Sequence, residues 1–285
     1  MEVIIHEINY RRPESFYLYP LGDLHTGAIH FHEDLFKEKV KEIAKQKNAL
    51  WIGMGDYADL IMPSDFKRWD GKILSPWMKG EEDNIASAQR DKVGELLNPI
   101  WDKCLGLIIG NHEDAIRKYH HYDFIKELLK QANKKRREDN QIRCAGISCF
   151  LALRFKRSTS QGTVEVVIHA RHGEGSARTS GARALAVLRL SQSMVNARIT
   201  LMGHLHGQES PDVPQRLLYR NGKIKAFETI ATMTGAWLRA YMANVPASYL
   251  ERWGCPPSKL GCPRIVIEPD ENMITLEKTA TLGDI

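Results

Sequence analysis

Side chains that commonly bind metal ions occur in five short clusters, each directly after an apolar run. The clusters are G-D-L-H with Asp23 and His25, G-D-Y-A-D with Asp56 and Asp59, G-N-H-E-D with Asn111 and His112, H-A-R-H-G with His169 and His172, and G-H-L-H-G with His204 and His206. Aspartate, asparagine and histidine supply oxygen and nitrogen donors that suit Mn, Fe(II) or Zn, with Mg as an alternative. Seven or more such residues indicate two ions. Two ions with a bridging carboxylate neutralise a phosphate group between them from both sides.

The apolar runs before these clusters are predicted β-strands. Loops at the carboxyl ends of strands in open α/β sheets converge on one crevice, so we expect the five clusters to meet in space. A glycine precedes Asp23, Asp56, Asn111 and His204. Glycine permits a sharp exit from a strand into a loop, which agrees with this placement.

The remaining pattern predicts an α/β protein with mixed sheets. Strands are predicted at 3–8, 16–21, 49–54, 105–110, 150–155, 163–170, 199–204, 264–269 and 273–278, and helices at 33–47, 83–98, 121–137 and 178–193. Turn residues at 270–272 and the pair Asn221-Gly222 predict two hairpins. The segment 57–82, rich in proline, glycine, tryptophan and charge, is predicted to be irregular.

Composition limits the classes of protein. With 43% hydrophobic and 26% charged residues, most of the chain is expected to fold rather than to be disordered. The net charge of +5 weakly favours anionic partners, with a simple solubility charge as the alternative. The sequence has no C-x-x-C pair, which favours the reducing cytoplasm. It also has no signal-type apolar core and no run near ~20 apolar residues, which predicts a soluble protein without a membrane partner. The role of Cys255 and Cys262, a zinc hook or a bridge among the options, stays open.

The order D-x-H, G-D, G-N-H-[DE], H near a glycine and G-H-x-H resembles the calcineurin-like metallophosphoesterases, and these motifs span 22–207. The arrangement is also similar to phosphoesterases encoded by phages and prophages and, more distantly, to Mre-type DNA-repair nucleases. The resemblance implies a four-layer α-β-β-α sandwich with two mixed β-sheets. It also implies a single domain over 1–285 with a candidate cap at 57–100. A phage-type protein would act in the cytoplasm of the host.

The resemblance also implies a role for each motif residue. It implies two divalent ions, with Mn²⁺ favoured and Fe, Zn or Mg as alternatives. One ion would be held by Asp23, His25 and His206, and the other by Asn111, His172 and His204, with Asp56 bridging. A metal-bridging hydroxide would attack phosphorus in line, while His112 protonates the leaving oxygen or stabilises the phosphoryl group.

The choice between His169 and His172 follows from strand geometry. Successive side chains of a strand point to opposite faces, so two residues three positions apart face opposite ways while the strand lasts. His172 precedes Gly173 at the predicted strand exit and matches the H-G motif, which favours it as the ligand. His169 is expected to pack in the sheet or behind the ligands.

Other residues near the motifs have less specific patterns. Arg178 follows small residues and is a candidate clamp for the substrate phosphate, the alternative being a surface arginine beside a glycine-rich loop. Lys67 and Arg68 are candidates for a cap over the crevice. Tyr249 lies among interleaved aromatic and cationic residues, a pattern more typical of core packing than of base stacking. Glu113 is expected to support the ligands or cap a helix.

The expected function is a binuclear phosphodiesterase or nuclease that acts on nucleic acid or nucleotides. Protein serine/threonine phosphatases of the family continue with D-R-G after the bridging aspartate, whereas Leu60 and Ile61 follow Asp59 here, which argues against that activity. A phosphomonoesterase is the main alternative. A non-catalytic binding scaffold and a nucleic-acid-binding module with structural histidines are the others.

Overall fold

The computed structural model of the protein describes residues 1–158 and 162–278. Its strands are β1 (Glu2–Tyr10), β2 (Phe16–Leu21), β3 (Ala49–Gly53), β4 (Cys104–Leu107), β5 (Ser148–Arg157), β6 (Thr163–Arg171), β7 (Ile199–Met202), β8 (Arg216–Arg220), β9 (Lys223–Phe227), β10 (Ile230–Met233), β11 (Arg264–Glu268) and β12 (Met273–Glu277). Its α-helices are α1 (Glu33–Lys45), α2 (Ile85–Leu97), α3 (Asn111–His120), α4 (Phe124–Asn133), α5 (Ser180–Ser193) and α6 (Tyr249–Arg252). The domain predicted over 1–285 also includes 159–161 and 279–285, which lie outside the described residues.

The strands form two five-stranded sheets and one separate hairpin. The first sheet has the order β1-β5-β6-β7-β10 and the second the order β12-β11-β2-β3-β4. Each sheet mixes parallel and antiparallel neighbours: β6, β7 and β10 run parallel in the first sheet, and β2, β3 and β4 in the second. Strands β8 and β9 pair through the Asn221-Gly222 turn, and β11 and β12 pair as the other predicted hairpin, so both hairpin predictions are confirmed.

The two sheets pack face to face, with helices on both outer sides. Leu18 and Ile52 of the second sheet share one buried cluster with Leu151 and Ile168 of the first. On the outer face of the second sheet, β-strand residues pack with α1, α2 and α4. On the outer face of the first sheet, Val187 of α5 packs against residues of β7 and β10. The predicted four-layer α-β-β-α sandwich is therefore confirmed.

The element bounds differ from the predicted ones for local reasons. Helix α4 begins later than the predicted helix at 121–137 because Asp123 caps it, accepting a hydrogen bond from Lys126 N at 3.0 Å. Strands β4 and β7 end earlier than predicted, since the chain turns into the loops that carry the polar clusters. Helices α3 and α6 and strand β10 were not predicted; α3 has only one wholly buried apolar residue, Ile116, and therefore little apolar periodicity.

The candidate cap at 57–100 consists of two different parts. Residues 57–84, the irregular segment, form loops with three short 3-10 helices at Gly71–Ile73, Pro76–Met78 and Glu82–Asn84. Backbone hydrogen bonds fix this segment to the loop after β2, for example from Ile29 N to Ile73 O at 2.7 Å and from Ser75 N to Gly27 O at 2.8 Å. Helix α2 instead packs into the core through Val93 and its neighbours. Among the described residues, no helix is both long and apolar enough to cross a membrane.

Candidate metal centre

The predicted ligands follow the carboxyl ends of five strands. Strands β2, β3 and β4 are parallel neighbours, as are β6 and β7, and the chain leaves each of them into a polar loop. The structure brings the eight residues to which a metal or catalytic role was assigned into one region between the sheets: Asp23, His25, Asp56, Asn111, His112, His172, His204 and His206. Within each sheet these residues converge because parallel strands end at the same edge, and the face-to-face packing of the two sheets brings the two sets together.

One group of potential ligands, the Asp23 group, consists of Asp23, His25 and His206, all buried. The Nε2 atoms of His25 and His206 are 3.2 Å apart, and His206 Nε2 is 3.5 Å from Asp23 Oδ1. His25 Nδ1 faces Asp59 Oδ1 at 3.5 Å. Burial, together with the nearby His25, holds the pKa of His206 well below its usual value, so the ring is neutral, which is the form that binds metals.

A second group, the Asp56 group, consists of Asp56, His172 and His204, and Asn111 extends it. His172 Nε2 lies 3.2 Å from Asp56 Oδ2 and 3.0 Å from Asn111 Oδ1. His204 Nδ1 lies 2.9 Å from the same amide oxygen. Asp56 also belongs to a third set with His25 and His112, so its carboxylate lies between the two groups.

The hydrogen bonds around the Asp56 group fit a cation at its centre. His172 Nδ1 bonds to Met54 O at 2.7 Å and His204 Nε2 to Gly175 O at 3.0 Å, which places a hydrogen on each of these nitrogens. In the neutral rings, His172 Nε2, His204 Nδ1 and Asn111 Oδ1 then face one another as acceptors. Three converging lone pairs would repel one another; a proton on His172 Nε2 relieves this repulsion, and a divalent ion bound by all three would do the same. The backbone carbonyls orient both rings for this purpose, as partners of ligating histidines commonly do.

The buried charges of the site also indicate a cation. Burial raises the pKa of Asp23 to about 8, and the neighbouring Asp56 carboxylate raises it as well. Burial alone would also raise the pKa of Asp56, but His172 and His112 outweigh it and hold this pKa well below its usual value. His172 shows the reciprocal effect: burial lowers its pKa, but Asp56 raises it to about 10. Since ligands bind without their protons, an ion would take the place of the proton between His172 and Asp56.

His112 lies beside both groups. Its ring contacts that of His25 edge-on, with centroids 4.8 Å apart, and its Nδ1 bonds to the backbone oxygen of Asp59. Its backbone N–H donates to Asp56 Oδ1 at 3.0 Å. Burial lowers the pKa of His112, but the carboxylates of Asp56 and Asp59 raise it above its usual value overall. A histidine that holds its proton beside the ligands is suited to act as a general acid.

The backbone of the site is strained. Asp23, His25, Asp56, His204 and His206 all have positive φ angles, between 49° and 69°. This left-handed region costs residues other than glycine on the order of 1–3 kcal/mol each and is typically found at functional sites. The glycines before the motifs act mainly by allowing close approach: a Cβ on Gly110 would lie 2.1 Å from Asp56 Oδ1, whereas Gly55 is the one of these glycines with a positive φ, of 91°.

Glu113 joins two of the loops. Its buried carboxylate accepts hydrogen bonds from Asp56 N and Gly110 N, both at 2.9 Å, and from Tyr57 N at 2.8 Å. Burial raises its pKa to about 7, and the charge of Asp56 contributes. Its expected supporting role therefore takes the form of three hydrogen bonds to the backbone of the metal loops.

His169 and Arg178 lie away from the convergent ligands. His169 is wholly buried in β6, and its ring packs against Phe150 with centroids 5.3 Å apart. Arg178 is exposed and does not line the cavity beside the site. Arg183 lies on that cavity wall instead, buried and paired with Glu209 at 2.7 Å.

Tyr249 belongs to the site although its sequence pattern favoured core packing. Its hydroxyl lies 3.0 Å from His206 Nε2, and its ring centroid lies 6.0 Å from that of His25. A cavity of about 290 Å³ borders Tyr249 and both ligand groups, and Lys67 and Arg68 of the irregular segment line it as well. Only the cation-rich aromatic pattern of 237–253 pointed to this residue.

No protein-family model and no curated protein matches the sequence. Among solved structures, a predicted phosphoesterase from Streptococcus pneumoniae is 10% identical, covering 94% of this chain and 99% of its own, with a TM-score of 0.34. Vacuolar Protein Sorting 29 from Cryptosporidium parvum is 14% identical, with the same coverage and a TM-score of 0.36. The calcineurin-like phosphoesterase YfkN from Bacillus subtilis is 10% identical, covering 76% of this chain and 90% of its own, with a TM-score of 0.33.

The chain offers two points of similarity, namely the order of the motifs along the sequence and the two facing mixed sheets whose strand ends bring those motifs together. In both respects the chain resembles the calcineurin-like metallophosphoesterases.

Proposed function

We propose that the protein is a divalent-metal-dependent hydrolase of phosphate esters. The observation that carries the proposal is the pair of adjoining ligand groups, the Asp23 group and the Asp56 group, with Asp56 between them. Each group offers carboxylate and imidazole ligands, a set that suits Mn²⁺, which we favour, as well as Fe or Zn. His112 lies beside the groups, and a cavity large enough for a small organic phosphate opens onto them.

The residues of the site have distinct roles in this proposal. Bound divalent ions would supply Lewis acidity toward the phosphate ester and lower the pKa of water that serves as the nucleophile. Asp56 lies between the two ligand groups, and its carboxylate is oriented by the backbone N–H of His112, which donates to Oδ1 at 3.0 Å. His112 donates its proton to the leaving oxygen, and the Asp59 carbonyl fixes the orientation of its ring.

A phosphodiester substrate is favoured over a monoester. Beyond the ligand groups, the cavity is lined by the cations Lys67, Arg68, Arg183 and Arg252. Cations away from the reaction centre favour a substrate that carries negative charge beyond the scissile phosphate, as a nucleic acid does. The net charge of +5 also favours an anionic substrate of this kind.

A hydrolysis screen tests the proposal. Purified protein with added Mn²⁺ would be incubated with bis-p-nitrophenyl phosphate, p-nitrophenyl phosphate, and single- and double-stranded DNA. We expect hydrolysis of the diester and of DNA, abolished by a chelator and by Asp56→Asn. Hydrolysis of the monoester alone would contradict the diesterase assignment, and no hydrolysis of any ester would contradict the proposed function.

Metal analysis separates the enzyme from the non-catalytic alternatives. A binding scaffold or a nucleic-acid-binding module with structural histidines requires no metal at this site. We expect the purified protein to bind Mn²⁺ and its melting temperature to rise with the ion. Salt-sensitive DNA binding without metal binding, unchanged in Asp56→Asn, would favour the binding module.

A further inference from the structure

The cavity beside the metal centre has an apolar wall next to its cations. Its lining includes Leu238, Ala247, Leu250, Trp253 and Pro256, which all come from the segment 238–256, and two of them, Leu238 and Leu250, share one buried cluster. Outside the ligand groups and Asp59, every charged side chain that lines the cavity is a cation. A wall that combines apolar surface with positive charge fits a ligand that is partly apolar and carries negative charge.

Trp253 is the main aromatic surface of this wall. It follows α6, and its backbone N–H donates to Tyr249 O at 3.0 Å. Its ring meets that of Tyr249 edge-on, with centroids 6.0 Å apart and planes at 79°. Because Tyr249 contacts His206 directly, one aromatic ring separates the indole from the Asp23 group. Trp253 is nevertheless 52% exposed, so about half of its surface is accessible to a ligand.

The neighbouring cations keep donors available for an anion. Arg252 bonds to Asp70 at 3.2 Å, which ties α6 to the irregular segment, and its side chain is 54% exposed. Arg68 pairs with Asp65 at 2.6 Å and is 48% exposed. Within 1–158 and 162–278, Lys67 has no acidic partner, so its charge is uncompensated.

We propose that this wall is a nucleoside subsite, in which a base next to the scissile phosphate stacks on Trp253 while Lys67 and Arg252 contact the adjoining sugar-phosphate. The proposal rests on the proposed function and names the substrate class of the same site. Stacking suits the position because every base presents a flat π-face, and tryptophan offers the largest aromatic surface among side chains. The shared chemistry is a nucleoside phosphodiester, whether a small nucleotide ester or a single strand.

Two substrates with one leaving group test the subsite. Methyl p-nitrophenyl phosphate and thymidine 5′-(p-nitrophenyl) phosphate differ only in the nucleoside, so the ratio of their kcat/KM values measures what the nucleoside contributes. We expect wild type to prefer the thymidine ester and Trp253→Ala to lower that ratio by about 5- to 150-fold, the range measured for loss of a stacked base. Trp253→Phe, which keeps an aromatic ring, should recover part of the preference.

Binding without hydrolysis gives a second readout. Anisotropy of a labelled oligothymidine, measured in chelator at low salt, should show weaker binding by Trp253→Ala and unchanged binding by Phe66→Ala. Phe66 is the matched control because it lies in the irregular segment, is 91% exposed and does not line the cavity. Preference for the ester without oligothymidine binding would identify a small nucleotide as the substrate, whereas both together would identify a single strand.

Failure of the subsite and failure of the enzyme assignment give different results. If wild type hydrolyses both esters and Trp253→Ala leaves their ratio unchanged, the subsite is refuted and the enzyme assignment stands. If wild type hydrolyses neither ester and no monoester, the proposed function itself fails. Equal melting temperatures of wild type and the Trp253 variants would exclude misfolding as the cause of any loss.

Discussion

Replacing Gly110 with alanine would place a methyl group between two loops of the metal centre. The added Cβ would lie 2.1 Å from Asp56 Oδ1 and 2.2 Å from Asp56 N. Ordinary van der Waals contacts begin at 3.4 Å, so the loops must separate by roughly 1.3 Å, the difference between these distances. Neither partner can rotate away, because the Asp56 backbone N–H is bonded to Glu113 and the Asp56 carboxylate to His112 N.

The size of the effect follows from this displacement. Moving a reacting group by about 1 Å lowers activity by on the order of 100-fold. Overpacking a buried contact costs about 1–3 kcal/mol of unfolding free energy, which lowers the melting temperature by roughly 2–12 °C in a chain of this size. Since Asp56 lies between the two ligand groups, we expect Gly110→Ala to weaken Mn²⁺ binding as well as to slow turnover.

Three quantities would be measured for Gly110→Ala: the Mn²⁺ affinity by calorimetric titration, kcat/KM for bis-p-nitrophenyl phosphate, and the melting temperature. Gly181→Ala is the control, because a Cβ on Gly181 of α5 meets nothing within 4 Å. There alanine should keep metal affinity and raise stability by about 0.5–1 kcal/mol. A Gly110→Ala protein with the Mn²⁺ affinity and kcat/KM of wild type would refute the argument that this close approach positions Asp56.

Three further predictions concern the same site. His172→Ala should lose Mn²⁺ binding and activity, whereas His169→Ala should keep Mn²⁺ binding and only melt earlier; titration showing the opposite pattern would reverse their roles. Glu113→Gln leaves at least one buried N–H unpaired and should lower the free energy of unfolding, measured in urea, by about 1–3 kcal/mol. The control is Glu165→Gln, at a half-exposed side chain, and equal losses in the two variants would argue against a supporting role of Glu113. Mn²⁺ at 100 times its Kd should stabilise wild type by about 2.7 kcal/mol, seen as a melting shift that chelator reverses and that Asp56→Asn lacks; a shift in that variant would place the ion elsewhere.

The sequence was most informative where a polar cluster directly follows an apolar strand. Asp23, Asp56 and His204 could be placed at strand ends from the letters alone. Parallel pairing then brings Asp23 and Asp56 together, whereas His204 follows a strand of the other sheet and reaches them through the packing of the two sheets. The four-layer sandwich was predicted only through the family resemblance, since alternating strands and helices by themselves leave the number of sheets open. The two hairpins were predicted from turn residues, which act locally.

Side chains that reach the site from distant segments could not be predicted in this way. Tyr249 contacts His206 across 43 positions, and nothing in its own segment specifies that contact. Helical spacing distinguishes Arg183 from Arg178. Arg183, Val187 and Ser191 are spaced by four and are the buried residues of α5. Arg178 lies just before the N-cap Thr179, outside that periodicity. The low apolar contrast of the helix concealed this signal.

The strained backbone explains why the ligands are held by the core rather than by their own loops. Five ligands adopt left-handed φ angles, and two of these ligands, Asp23 and Asp56, are buried carboxylates. The backbone strain and the burial of the carboxylates both oppose folding. The compensating free energy must come from elsewhere in the fold. One source is the burial of the apolar layer between the sheets, to which residues of β2, β3, β4, β6 and β7 contribute. The strands that bury this layer are the same ones whose carboxyl ends carry the ligands. Strand packing therefore determines both the stability of the fold and the spacing of the metal centre.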